Sequence, residues 1–320
     1  NFGEELLIPN ATTRDIGVMA TTHYHLETID LQAGLRFDHR NIGSEASGNA
    51  SDINFIDAID LIFNSFNAAL GAKAEFSKVL IGRLNIASGF RAPNLAELAS
   101  NGVHEGTNRY EIGNAALNNE QNYQLDLSLE FRDEHFEISA NGFYNGIQDY
   151  IFITPSIVII DNAVVYNYVQ ENAYLYGGEV GLHIHPHPLD WLHIESSFET
   201  VSGKLDSGDY LPLIPANTIK NTLRVEFNQA QFLKESFAFI KLENTLEQNN
   251  AGAFETSTKG YNLLSLGGGS SITLRKMDLD LGISVTNLTN ESYVAHLSRL
   301  KPDGIQNIGR NITFSMRLHI

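Results

Sequence analysis

From Asn311 to Ile320 every second residue is apolar: Ile312, Phe314, Met316, Leu318 and Ile320 fall on one side, Asn311, Thr313, Ser315, Arg317 and His319 on the other. A period of two means an extended strand with one face in water and one out of it. The same pattern recurs along the chain. Ile29, Leu31, Ala33, Leu35 and Phe37 oppose Asp30, Gln32, Gly34, Arg36 and Asp38, and Tyr123, Leu125, Leu127, Leu129 and Phe131 oppose Asn122, Gln124, Asp126, Ser128 and Glu130. Period-two segments predict about thirteen strands, beginning near Thr13–Tyr24 and ending at Gly309–Ile320. Many run for about ten residues or more, where a soluble strand averages about five or six and a tilted bilayer-crossing strand needs about 9–11.

Apolar runs such as Ile157 to Ile160 are far too short for a spanning helix, which takes about 20 residues. A chain of this kind crosses a membrane only as a closed barrel, because hydrocarbon offers no partner to unpaired backbone groups. Composition agrees. Charged residues make up 18% of the sequence, below the roughly 25% of a soluble domain, and Asn, Ser, Thr, Gln and Gly take their place, as suits a watery lumen. The predicted connections alternate between tight turns (His25–Glu27, Ser77–Lys78, Arg132–His135, Pro186–Asp190) and long polar loops (Asn41–Asn64, Arg91–Gln121, Thr154–Ala163, Ser202–Asn217, Glu247–Gly260, Thr289–Ile308), the asymmetry of an outer-membrane barrel. The fold expected is an all-β, antiparallel transmembrane β-barrel. An odd strand count and an opening segment, NFGEELLIPN, without basic or apolar leader regions predict that the 320 residues are the C-terminal portion of a larger barrel.

A net charge of −17 argues against nucleic acid and favours cations. No cysteine is present, so disulfides and thiolate metal sites are excluded, while eleven histidines leave imidazole and carboxylate sites open. His183, His185 and His187 share one strand face, but Pro186 and Pro188 end that strand, and these residues read as turn or lumen histidines, like His23 and His25. His104 and Glu105 lie in a long loop where an outside ligand would first arrive, and His296 lies in another. These three are the candidate substrate-binding and metal-ligating residues. Enzyme signatures such as GxSxG, HExxH and GxxxxGK[ST] are lacking, so no catalytic residue is assigned.

The stretch GFRAPNLAEL at Gly89–Leu98, followed by NGVHEGTNRYEIGN, YGGEV at Tyr176–Val180, LPLIPAN at Leu211–Asn217, VTNLTNESY at Val285–Tyr293 and HLSRLKPDGIQNIGRNI at His296–Ile312, resembles, in order, the signatures of TonB-dependent outer-membrane receptors. The resemblance implies a 22-stranded plugged barrel in the bacterial outer membrane, whose plug domain, TonB-contacting segment and early strands lie outside these residues. It further implies partnership with the TonB complex and with outer-membrane lipid and lipopolysaccharide, and active import of a scarce nutrient such as zinc, haem or a siderophore complex, with no obligatory cofactor. The stretch at Asn101–Asn114 is similar to that of the zinc-uptake branch. The final Ile320 departs from the family's usual terminal aromatic. Independently of the family, Pro93 must leave the sheet, Asn94 suits a helix cap over Leu95–Leu98, and Asn287, Asn290 and Gly309 read as loop-shaping residues. The rival readings are a passive porin of about fourteen strands, an outer-membrane hydrolase and a soluble all-β binding domain.

Overall fold

The computed structural model describes residues 7–104, 106–227, 233–274 and 277–319. Thirteen strands pair with their sequence neighbours: β1 Ala11–His25, β2 Ile29–Ser44, β3 Ile59–Ser77, β4 Leu80–Arg91, β7 Glu120–Arg132, β8 Phe136–Ile160, β9 Ala163–Ile184, β10 Leu192–Leu205, β11 Thr218–Phe227, β12 Leu233–Thr245, β13 Tyr261–Leu274, β14 Met277–Thr286 and β15 Asn311–His319. All twelve pairings are antiparallel. Between β4 and β7 the chain forms a short helix, α1 (Leu95–Ala99), and two four-residue strands, β5 (Asn101–His104) and β6 (Arg109–Ile112). β6 runs parallel to the start of β9, with Arg109 opposite Val164.

Register follows the apolar pattern. Ile86 pairs with Leu125 and Leu84 with Leu127, while Asn85 meets Asp126 between them and Arg83 meets Ser128 just beyond. A slip of one residue would exchange the two faces, so the alternation itself fixes the ladder. The apolar face has no protein cover: Leu127 is 56% and Phe314 75% exposed. A large aliphatic left in water forgoes about 1.5–3 kcal/mol relative to burial, so a face made of dozens of them requires hydrocarbon.

One predicted loop is a strand. Thr154–Ala163 continues the β8–β9 hairpin to a two-residue turn at Asp161 and Asn162, whose φ values of 48° and 60° suit the primed turn that joins right-twisted strands. Pro155 is tolerated because the ladder slips between Pro155 and Ile159, which removes the need for its missing N–H. β1 pairs only with β2 and β15 only with β14, so among the described residues the sheet has two open edges. The last predicted residue of β15, Ile320, lies outside the described residues.

Buried side chains concentrate at the long-loop end. Ile42, Ile56, Phe63, Ala92, Leu98, Ala99, Leu117 and Ile151 form one cluster there. Ala173, Leu205, Leu211 and Ile214 form a second, and Tyr110, Ala163 and Val165 a third. This packing makes the long connections an ordered rim.

Candidate functional site

The rim is organised by the stretch that follows β4. Pro93 leaves the ladder, and Asn94 caps α1: its Oδ1 accepts from the Glu97 amide at 3.0 Å, while Glu97 Oε2 accepts from the Asn94 amide at 2.8 Å. This reciprocal box satisfies two otherwise orphaned amides. Glu97 also accepts from Arg91 Nη1 at 2.8 Å, and Arg91 holds Glu120 through Nε and Nη2. Glu120 Oε1 further accepts from the Ile151 amide at 2.6 Å, which ties β4, α1, β7 and β8 to one guanidinium. The architectural role expected for Pro93 and Asn94 is what the structure shows. The same holds for Asn287, which at φ 49° bonds both the amide and the carbonyl of Glu291, and for Asn290, which at φ 55° accepts from the Arg310 amide.

His104 ends β5 and is half-buried, with its Nδ1 3.2 Å from the Thr107 hydroxyl. Glu105 lies outside the described residues. The strand pair next to His104 is anchored from below. Tyr110 is fully buried and donates its hydroxyl to Asn101 Oδ1 at 3.0 Å, and Asn101 in turn donates to the carbonyls of Ile53 and Phe55. Burial, helped by the Asp161 charge, pushes the Tyr110 phenol up from its ordinary value.

His296 sits in the loop after β14 with its side chain 2% exposed. The Thr258 hydroxyl lies 2.8 Å and Lys301 Nζ 3.3 Å from Nδ1, and Glu255 Oε2 lies 3.7 Å from Nε2. An ammonium only donates, so Nδ1 is an acceptor and the ring proton sits on Nε2, facing the carboxylate. Burial, with the Lys301 charge, lowers the His296 pKa, and Glu255 opposes this only in part. The imidazole is therefore neutral at pH 7. Glu255 accepts from the amides of Leu213 and Gly252, so this cluster joins three loops. Among the described residues His104 and His296 share no hydrogen-bond or ion-pair partner, and neither belongs to a group of three histidine or carboxylate donors.

Two such groups do exist, both at the short-turn end: His183, His185 and His193, and His23, His25 and Asp30. The shared strand face of His183 and His185 is as expected, but their third neighbour is His193 across the hairpin, while His187 turns away to Asp190 at 3.5 Å. The signal for this was in the chain: a short turn after His185 brings the next strand back antiparallel, and the continued register sets His193 opposite His185. The polar face between the two ends is laced with ion pairs, including Arg83–Glu130 at 3.0 Å, Lys220–Glu199 at 2.6 Å and Arg224–Glu226 at 2.8 Å. A hollow of about 470 Å³ on this face is lined by Glu130, Glu137, His183, Glu195, Lys220 and Lys241, among others.

The sheet superposes on solved transport proteins. The copper transporter OprC matches with a TM-score of 0.79 at 18% identity, covering 96% of this chain and 48% of that one. The FrpB iron transporter from Neisseria meningitidis (F3-3 variant) matches at 0.70 and 15%, covering 97% and 46%, and the ferric yersiniabactin uptake receptor FyuA from Yersinia pestis at 0.70 and 13%, covering 96% and 45%. The chain thus spans about half the length of the structures it matches, and at these identities the likeness is one of fold. Residues 2–288 match the family model described as TonB dependent receptor-like, beta-barrel, and the chain belongs to that family.

Proposed function

We propose that this chain is the C-terminal part of the barrel wall of a bacterial outer-membrane receptor that imports a metal ion or metal complex, gated by a plug domain and energised through TonB. The observation that carries the reading is the family match over residues 2–288, to which the bare apolar face and the ordered rim add physical support. Long loops face outward and short turns the periplasm, as in other barrels of this kind. Further strands pair with the open edges of β1 and β15, and lipid and lipopolysaccharide cover the apolar face. The work is capture followed by conformational release, with no covalent chemistry, so no catalytic group is needed.

Within the rim, His104, Glu105 and His296 are the proposed ligand contacts. Support for His296 comes from its neutral ring beside Glu255: an ion replacing the Nε2 proton, with the ring proton passing to Nδ1 and donating to the Thr258 hydroxyl, would meet a nitrogen and oxygen donor pair that suits zinc or copper(II). On the narrower reading the cargo is zinc. Uptake of labelled zinc, copper and iron–siderophore complexes by cells carrying the intact receptor, with and without functional TonB, tests both levels. Uptake of one of these that vanishes without TonB, and whose half-saturation rises in His104→Ala and His296→Ala, is the expected result. Equal passage with and without TonB would replace the reading by that of a passive pore, and transport unaltered in both variants would remove these histidines from the site.

A further inference from the structure

The histidines at the short-turn end form a site of their own. Alternation along β9 turns His183 and His185 to the polar face, alongside Glu137 of β8, which pairs with His183 in the ladder. The Pro186–Asp190 turn then folds the chain back so that Ile194 pairs with Ile184, which sets His193 against His185. The three rings pack with centroids 4.1, 5.4 and 4.4 Å apart. His183 Nε2 lies 3.2 Å from His193 Nδ1, and one nitrogen from each ring lies within 4.8 Å of the others. In a tetrahedral zinc–imidazole centre, bonds of about 2.0–2.1 Å put neighbouring nitrogens about 3.3 Å apart; because His183 turns Nε2 to His193 and Nδ1 to His185, the rings share one ion after a side-chain rotation that closes the widest nitrogen pair. Outside them stand two carboxylates: Glu137 Oε2 is 3.5 Å from His183 Nδ1, and Glu226 Oε1 is 3.6 Å from His193 Nε2. In His183 and His193 one ring nitrogen faces a carboxylate, the arrangement that fixes the tautomer and raises the basicity of a metal-bound imidazole, while His185 Nε2 lies 3.3 Å from His183 Nδ1.

We propose that His183, His185 and His193 bind a divalent transition-metal ion, zinc or copper(II), with Glu137 and Glu226 as positioning residues. Three imidazoles without a thiolate select borderline ions of this kind over calcium or magnesium, and a fourth position stays open toward the lumen for water or an exchanging ligand. The site is separate from the rim histidines and does not depend on the cargo proposed above. It cross-links β9 to β10 across the turn, so occupancy stabilises that hairpin by linkage.

The test uses the intact protein in detergent, without an affinity histidine tag. Titration with cobalt(II) is expected to give the visible ligand-field absorption of a tetrahedral nitrogen site, bleached by zinc. His183→Gln and His193→Gln lose one equivalent of zinc and that absorption, Glu137→Gln weakens zinc about 10–100-fold, and His187→Gln and His25→Gln keep both. A zinc isotherm and cobalt spectrum unchanged in His193→Gln, in a variant whose heat-modifiable migration shows an intact barrel, overturn the proposal. Should the variants fail to fold, the unmodified protein decides: zinc must protect His183, His185 and His193 from acylation by diethyl pyrocarbonate, read by peptide mass spectrometry, and absence of protection means a hydrogen-bonded imidazole chain with no metal site.

Discussion

Arg91 and Glu120 face each other across adjacent strands and join by two parallel hydrogen bonds, Nε to Oε2 at 2.8 Å and Nη2 to Oε1 at 2.6 Å. Arg91 simultaneously reaches Glu97 in α1, so one guanidinium serves two buried carboxylates, and the excess negative charge is met by the backbone amides of Asn94 and Ile151. Bidentate geometry of this kind is specific to arginine.

Replacing Glu120 with Gln leaves Arg91 with a single acceptor there and weakens the bond from the Ile151 amide. The expected cost is about 1.5–3 kcal/mol, the range for hydrogen bonds to charged groups, confined to the rim. Limited proteolysis within 92–119 should speed up in Glu120→Gln while detergent-resistant barrel migration stays the same. Arg91→Lys should behave alike, since an ammonium cannot span both oxygens.

Asn94→Ala removes the acceptor for the Glu97 amide and half of the capping box. A loss of about 1 kcal/mol is expected, visible as a lower urea concentration for rim opening, and Asn94→Asp should restore most of it. Equal protection of the rim in Asn94→Ala would show that the Arg91 network alone holds α1.

At Gly113 a methyl group has no room. A Cβ there would lie 2.5 Å from the Ala99 amide nitrogen and 2.6 Å from that of Ser100, both backbone atoms of the α1 terminus. Gly113→Ala should push α1 off the end of β6, break the 2.7 Å bond from the Gly113 amide to the Ser100 carbonyl, and cost about 1–3 kcal/mol as overpacking. Faster exchange of the Gly113 and Asn114 amides than in the parent protein is the measurement.

The His296 ring is held neutral in the folded rim. Because its folded pKa lies below the ordinary value of about 6.5, the open loops take up a proton more readily than the docked ones. The docked state loses stability as pH falls below about 6.5 and continues to lose it down to the folded pKa; above that window nothing changes. The protection factors of amides in 246–260 and 289–308, that is exchange relative to the intrinsic rate at each pH, should fall between pH 7 and pH 5, and His296→Gln, which cannot titrate, should flatten the dependence.

The barrel wall was legible in the sequence because every one of the thirteen long strands carries its alternation on its own residues, so that no distant contact had to be guessed. The failures have local causes. Pro155 and Ser156 are turn signals by type, yet here they sit in a register slip inside a strand, and the true turn, Asp161–Asn162, is two ordinary polar residues made special only by positive φ. β5 and β6 are four residues each, too short to show a period. His193 was separated from its partners by seven residues or more, and only the register of the β9–β10 hairpin joins them. His296 shows the opposite limit: its loop position was evident, but its burial against Glu255 and Thr258 depends on another loop entirely.

The β8–β9 hairpin is 25 and 22 residues long, which at about 3.3 Å per residue is about 80 Å of strand, where about 9–11 residues suffice to cross hydrocarbon. More than half of it therefore stands clear of the bilayer, braced just below its Asp161–Asn162 tip by β6 and carrying the fully exposed Ile157. A rim that rises beside β8 and β9 has a compass direction: an arriving particle is met there by a standing two-stranded screen. If the chain stands in an outer membrane as proposed, an antibody raised against residues 155–163 would bind without crossing the bilayer.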